Sequence, residues 1–158
     1  KIKNKMNIFV LDNDPIKAAE MQCDKHVVKM ALETAQLLCS IFEQGKAPYR
    51  RTHYNHPCAI WARESYNNYN WLIKHGYALC NEYSKRYNKK HKCYDIINWC
   101  EHNISKDMFC KVEQTPHPKC MPDECKVEDI VESYRKYYVT HKKQFAKWKF
   151  NKPDWWKE

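Results

Sequence analysis

Twelve residues, AAEMQCDKHVVK from Ala18 to Lys29, hold two carboxylates, a thiol, a histidine and two lysines. Set on one helix at about 100° per residue, Asp24 falls in the middle of an apolar stripe with Val28, Ala31, Ala35 and Phe42. Glu20 lies one turn back on the edge of that stripe, Lys25 and Lys29 flank it, and His26 and Glu33 face away. A carboxylate aimed at a core is costly unless it is paired or lines a pocket. Two readings follow. Asp24 accepts hydrogen bonds from an Arg or Tyr of a second helix, such as Arg63, and is structural; or it is a desolvated acid or base held ready for proton transfer or charge stabilisation.

A second cluster, RRTHYNHP, packs Arg50, Arg51, His53 and His56 around Tyr54 and Asn55 just before a helix start at Pro57. Cationic side chains beside free helix N-terminal amides suit a phosphate, and a solvated basic loop is the plainer alternative. Cys110, His117, Cys120 and Cys125 fall within sixteen residues but contain no CxxC pair, so they depart from structural zinc spacings. His53, His56 and Cys58 form another loose set. The expectation is no metal, with the Cys110 to Cys125 set as the alternative. No Walker loop, GxSxG or HExxH occurs, which removes the commonest nucleotide-dependent and hydrolase chemistries; no cofactor is expected.

The elements that must position these groups read as helices. The chain has two glycines, few alternating runs and 14% aromatic residues, so an all-α fold is expected. NIFVLDNDP gives an extended entry ending in an Asp14 N-cap and Pro15 at the first helical position. A first helix is predicted from Pro15 to about Gln44, with Met21, Val28, Leu32, Ala35, Cys39 and Phe42 buried. A second runs from Pro57 into the low 80s with Trp61, Leu72, Leu79 and Tyr83 on one face, bent near Gly76. An irregular connection rich in Cys, His and Pro covers about Asn88 to Lys126, with a short helix near Tyr94 to Cys100. A third helix is predicted from Val127 to about Trp148.

At 158 residues this is one expected domain, residues 1–158, with 1–6 as an N-terminal extension and 151–158 as an aromatic tail. The formal charge of +9 favours a polyanion, and aromatics interleaved with Lys and Asn, as in YNNYNWLIK, suit stacking on bases. Nine cysteines, an odd number without an evident pairing, point to reduced thiols inside a cell. No apolar run is long enough to span a membrane.

In order along the chain, these pieces resemble the phage pyrimidine-dimer DNA glycosylase/AP lyase family of the endonuclease V type. AAEMQCDKHVVK is similar to that family's first helix with a catalytic carboxylate and basic neighbours. NHPCAIWARESYNNYNWLIKHGYALCNEYSKRY is similar to its long second helix, entered through a Gly/Asn-His step. MPDEC is similar to an acidic step before the last helix, and KPDWWK to its basic, aromatic tail. The resemblance implies a small all-helical glycosylase acting on duplex DNA with a damaged or modified pyrimidine. Asp24, or Glu20 as second choice, would stabilise positive charge on the sugar; Lys25, Lys29, Arg50 and Arg51 would hold phosphates. His53, His56, Arg63, Trp155 and Trp156 would complete the substrate surface.

The family's nucleophile is the α-amine of the residue after the initiator Met. Lys1 to Lys5 precede Met6 here, which sets a free amine several residues early; if translation begins at Met6, Met6 or Asn7 is the terminus, and otherwise Lys25 or Lys29 is the substitute amine, or activated water breaks the glycosidic bond alone. A non-catalytic, basic nucleic-acid-binding or virion-associated protein is the alternative. The resemblance also implies a monomer in an infected host cell. Trp155 and Trp156 are expected on the same side as Asp24 and the Arg50 loop.

Overall fold

The computed structural model describes residues 6–158 and is all-α over them, with an isolated bridge between Ser65 and Lys111. The expected extension, residues 1–6, lies outside the described residues save Met6, which is buried. Asn7 to Leu11 are buried and form no named strand, and the Leu11 amide turns back to donate to the Phe9 carbonyl at 2.9 Å. Asp14 then caps α1 (Pro15–Glu20) by accepting from the Lys17 amide at 2.9 Å.

The first predicted helix is not continuous. It stops at Glu20 and restarts as α2 (Asp24–Cys39), with Cys23 extended at the N-cap. The break resets the phase of the helical wheel, which corrects the expected stripe. Val28 and Leu32 are 39% exposed, whereas His26 and Glu33, expected outside, are buried at 5% and 8%. Neither Gly nor Pro marks this break. Long-range hydrogen bonds hold it: the Glu20 and Gln22 carbonyls accept from Arg86, and the Met21 carbonyl accepts from Trp148 Nε1.

The second predicted helix is also two: α3 (Pro57–Glu64) and α4 (Tyr66–Tyr87), divided at an extended Ser65 that caps α4 through the Asn68 amide. The break is locked by Thr115, whose amide donates to Asn68 Oδ1 and whose hydroxyl donates to Glu64. At 22 residues α4 is about 33 Å long and packs against α1, α2, α3 and α5 (Cys93–Asn103). The helix runs unbroken through Gly76. A Cβ there would lie 2.9 Å from Ile97 Cδ1 and 3.0 Å from Thr34 Cγ2, so glycine is where α2 and α5 approach α4.

Two short 3₁₀ turns, Lys106–Met108 and Asp123–Cys125, lie within the irregular connection before α6 (Ile130–His141). The last helix ends seven residues short of the expected Trp148. Phe145 and Trp148 instead turn back onto the start of α2, where Phe145 meets His26 and Trp148 meets Met21. Buried Tyr134 and Tyr138 of α6 pack edge-on against Phe9 of the N-terminal segment. No described helix is long and apolar enough to cross a membrane.

Candidate active site

Asp24 is the first residue of α2, not a mid-helix residue. Its amide donates to the Lys147 carbonyl at 2.8 Å. Its carboxylate receives Arg86 Nη1 at 3.1 Å and the Lys149 amide at 3.2 Å, both on Oδ1. Arg86 is the arginine the sequence reading sought in Arg63, and its side chain is fully buried. It also meets Glu82 Oε1 at 2.9 Å through both Nε and Nη2. Arg63 instead lies over the Tyr54 ring at 3.7 Å, with Arg51 near the same ring at 4.3 Å.

Although Asp24 is paired, it is not sealed. Its side chain keeps 18% exposure and lines an open cavity of about 620 Å³ with Lys25, Val28, Lys29, Tyr87, Phe145 and Lys147. Lys25 Nζ sits 5.2 Å from the centre of the Phe145 ring, and Lys149 Nζ 5.2 Å from that of Tyr87. Asp24 is therefore the carboxylate in a groove whose other charged walls are lysines and whose floor is partly aromatic. Such a groove concentrates an anionic ligand and presents rings to a base.

Glu33 was missed. It is buried, accepts from the Asn7 amide at 3.2 Å and lies 3.9 Å from Lys29, which also lines the Asp24 groove. Burial raises its pKa above the usual carboxylate value, against the opposing pull of Lys29 and the Asn7 amide. A wheel drawn through an unbroken helix hid it. The signal that could have found it is the spacing Lys29 to Glu33, an i,i+4 pair that places the acid within reach of the lysine.

Other expected site residues are dispersed. Glu20 is exposed and lines a separate hollow of about 530 Å³ with Lys17, Glu82, Lys85, Lys152 and Asp154. The Arg50 to His56 loop is tied to the far end of α2, where the Arg51 amide donates to Gln44 Oε1. No residue of this loop is among those lining the Asp24 cavity. Within the loop, His53 takes a positive φ of 54° and Tyr54 is exposed between the two guanidiniums.

The tail docks where Asp24 is. Trp155 Nε1 lies 3.4 Å from Met21 Sδ, and Trp156, 7% exposed, packs edge-on to Trp148 with ring centres 4.9 Å apart. Trp156 is thus committed to the core. The four residues Cys110, His117, Cys120 and Cys125 do not converge: Cys110 is exposed, His117 stacks on Trp61 and Cys125 faces Thr140 and His141.

The fold and the groove define a small all-helical protein with a carboxylate among lysines. Residues 6–95, more than half of the chain, match the family model described as pyrimidine dimer DNA glycosylase, and the chain belongs to that family. Membership carries the general activity of a pyrimidine dimer DNA glycosylase and makes DNA the substrate. Comparison with curated proteins and with solved structures finds no match.

Proposed function

We propose that the chain excises a damaged pyrimidine from duplex DNA in the groove between the first two turns of α2 and residues 144–149. The observation that carries this reading is Asp24, held on one oxygen by Arg86 and the Lys149 amide at the edge of a lysine-lined cavity. Excision breaks the C1′–N bond, the base departs with the bonding electrons and is protonated, and water adds at C1′. The sugar carries positive charge in between, and a fixed carboxylate stabilises it. Lys25, Lys29 and Lys147 hold the flanking phosphates while the nucleotide is rotated out of the stack. The Arg51, Tyr54 and Arg63 cluster, outside the Asp24 cavity, meets phosphates elsewhere on the duplex.

A second reading assigns the carboxylate to Glu33, because the Asn7 nitrogen lies 3.2 Å from it. In a chain beginning at Asn7 that nitrogen would be an α-amine, the nucleophile the resemblance implies for strand cleavage. Lys25 and Lys29 are the amines available otherwise.

The test uses duplexes carrying a cis-syn thymine dimer, an abasic site or no lesion, with and without borohydride. Asp24→Asn is expected to lower the excision rate by about 100-fold or more while lesion binding is kept. If Glu33→Gln does so and Asp24→Asn does not, the second reading holds. Borohydride trapping followed by peptide mapping identifies the amine. No turnover, with equal affinity for all three duplexes, sinks the glycosylase proposal in favour of a non-catalytic DNA-binding role.

A further inference from the structure

The irregular connection between α5 and α6 has little regular structure of its own, yet Cys120 within it is held rigidly. Its amide donates to the Tyr134 hydroxyl at 3.2 Å, and its carbonyl accepts from Asn7 Nδ2 at 2.8 Å. Its sulfur lies 3.8 Å from that of Cys58, in the first turn of α3. His56, the N-cap of the same helix, completes a group whose ligand atoms all lie within 4.8 Å of one another, and no other such group occurs among the described residues.

We propose that His56, Cys58 and Cys120 bind one zinc ion, with a solvent molecule or another small ligand as the fourth donor. Two thiolates at about 2.3 Å from a tetrahedral metal stand about 3.8 Å apart, which is the separation found here. The sulfurs approach without a bond between them, and both cysteines are free thiols. Binding releases the two thiol protons to solvent, and the resulting pair of thiolates neutralises the ion, so a partly buried site bears no net charge. Backbone contacts fix Cys120, and the first turn of α3 fixes Cys58 opposite it. His56 is the weakest of the three ligands. Its Nδ1 accepts from the Cys58 amide at 3.0 Å, so coordination there exchanges that hydrogen bond for the metal. Coordination through Nε2 instead moves the ring proton to Nδ1.

The spacing that defines this site is absent from the sequence. Two ligands lie one residue apart and the third is 62 positions further on, so a search for paired cysteines passes over it. Its effect is to clamp the irregular connection to the start of α3, beside the buried Asn7 and Glu33.

The full chain, reduced and stripped with chelator, is titrated with Zn²⁺ and passed through gel filtration, and bound metal is counted by mass spectrometry. Co²⁺ then reports the geometry. The expected result is one equivalent of zinc and a tetrahedral Co²⁺ spectrum with sulfur-to-metal charge transfer. Both signals are retained by Cys110→Ser and lost by Cys120→Ser, whose partly exposed position favours folding, with circular dichroism as the check. Retention by Cys120→Ser, an octahedral spectrum or no uptake by the reduced protein overturns the proposal. So does a Cys58–Cys120 disulfide in freshly isolated protein whose reduction fails to restore uptake.

Discussion

Arg86 serves two backbone carbonyls and two carboxylates at once, and its guanidinium is closed off from solvent. Replacement by Met would fill the space but leave the Glu20 and Gln22 carbonyls without their donor and buried Glu82 with Lys85 alone. A loss of about 3–5 kcal/mol in urea unfolding is expected, together with reduced excision because Asp24 loses its anchor. His26 and His75 give the residue scale a pH signature. Burial pushes their pKa values down to about 3 and about 4. Unfolded histidine titrates near 6.5, so below that pH the unfolded chain takes up protons that the folded one refuses. Stability from these two groups is complete above about pH 6.5 and declines as pH falls towards about 4 and then 3. Glu33, with its raised pKa, acts in the opposite sense: it favours the folded state below about 4.5 and loses that contribution as pH rises. Denaturant midpoints measured from pH 3.5 to 7.5 should rise with pH, and His26→Phe should shallow the slope between pH 4 and 6.5. A flat profile would contradict neutral burial of these rings.

Elements were legible where caps and prolines act locally and illegible where distant side chains act, and the first helix, expected to reach about Gln44, ends at Cys39. Asp14 and Pro15 announce α1, and Pro57 announces α3, because those signals are local and chemical. The break at Met21 to Cys23 has no such signal, since Arg86 and Trp148 make it from 64 or more positions away. That one miss displaced the wheel, misassigned Val28 and His26, and hid Glu33, while Asp24 and its lysines survived because they adjoin one another in sequence. The Arg63 pairing failed for the same reason: only the folded length of α4 brings its last turn back to α1. Gly76 marks the close approach of α2 and α5 to α4, and that role is testable. Gly76→Ala gains about 1 kcal/mol of helix propensity yet must displace Ile97 or β-branched Thr34, so net destabilisation of about 1–3 kcal/mol is expected. Because the closest atom is Ile97 Cδ1, adding Ile97→Val should cost less than the two single effects summed, read as a coupling energy in a double-mutant cycle.

Across the whole molecule, two cationic groups stand out. One holds Lys25, Lys29 and Lys147; the other holds Arg51 and Arg63. If the duplex meets both, each phosphate contact removed lowers the slope of log affinity against log salt by about one. Lys25→Ala with Lys147→Ala should reduce binding and excision together, whereas Arg51→Ala with Arg63→Ala should reduce binding to any duplex and leave the rate at saturating DNA. An unchanged salt slope in the arginine pair would confine the interface to the Asp24 end.

The tail settles one further matter, which concerns time. Asp24 is fixed by the Lys147 carbonyl and the Lys149 amide, and Met21 by Trp148 and Trp155, all from the last twelve residues of the sequence. A chain still being synthesised has α2 long before it has these partners, so its groove has no second wall. The groove is finished only once residues 144–149 have been made and have docked on Asp24, and a chain cut short before them lacks it.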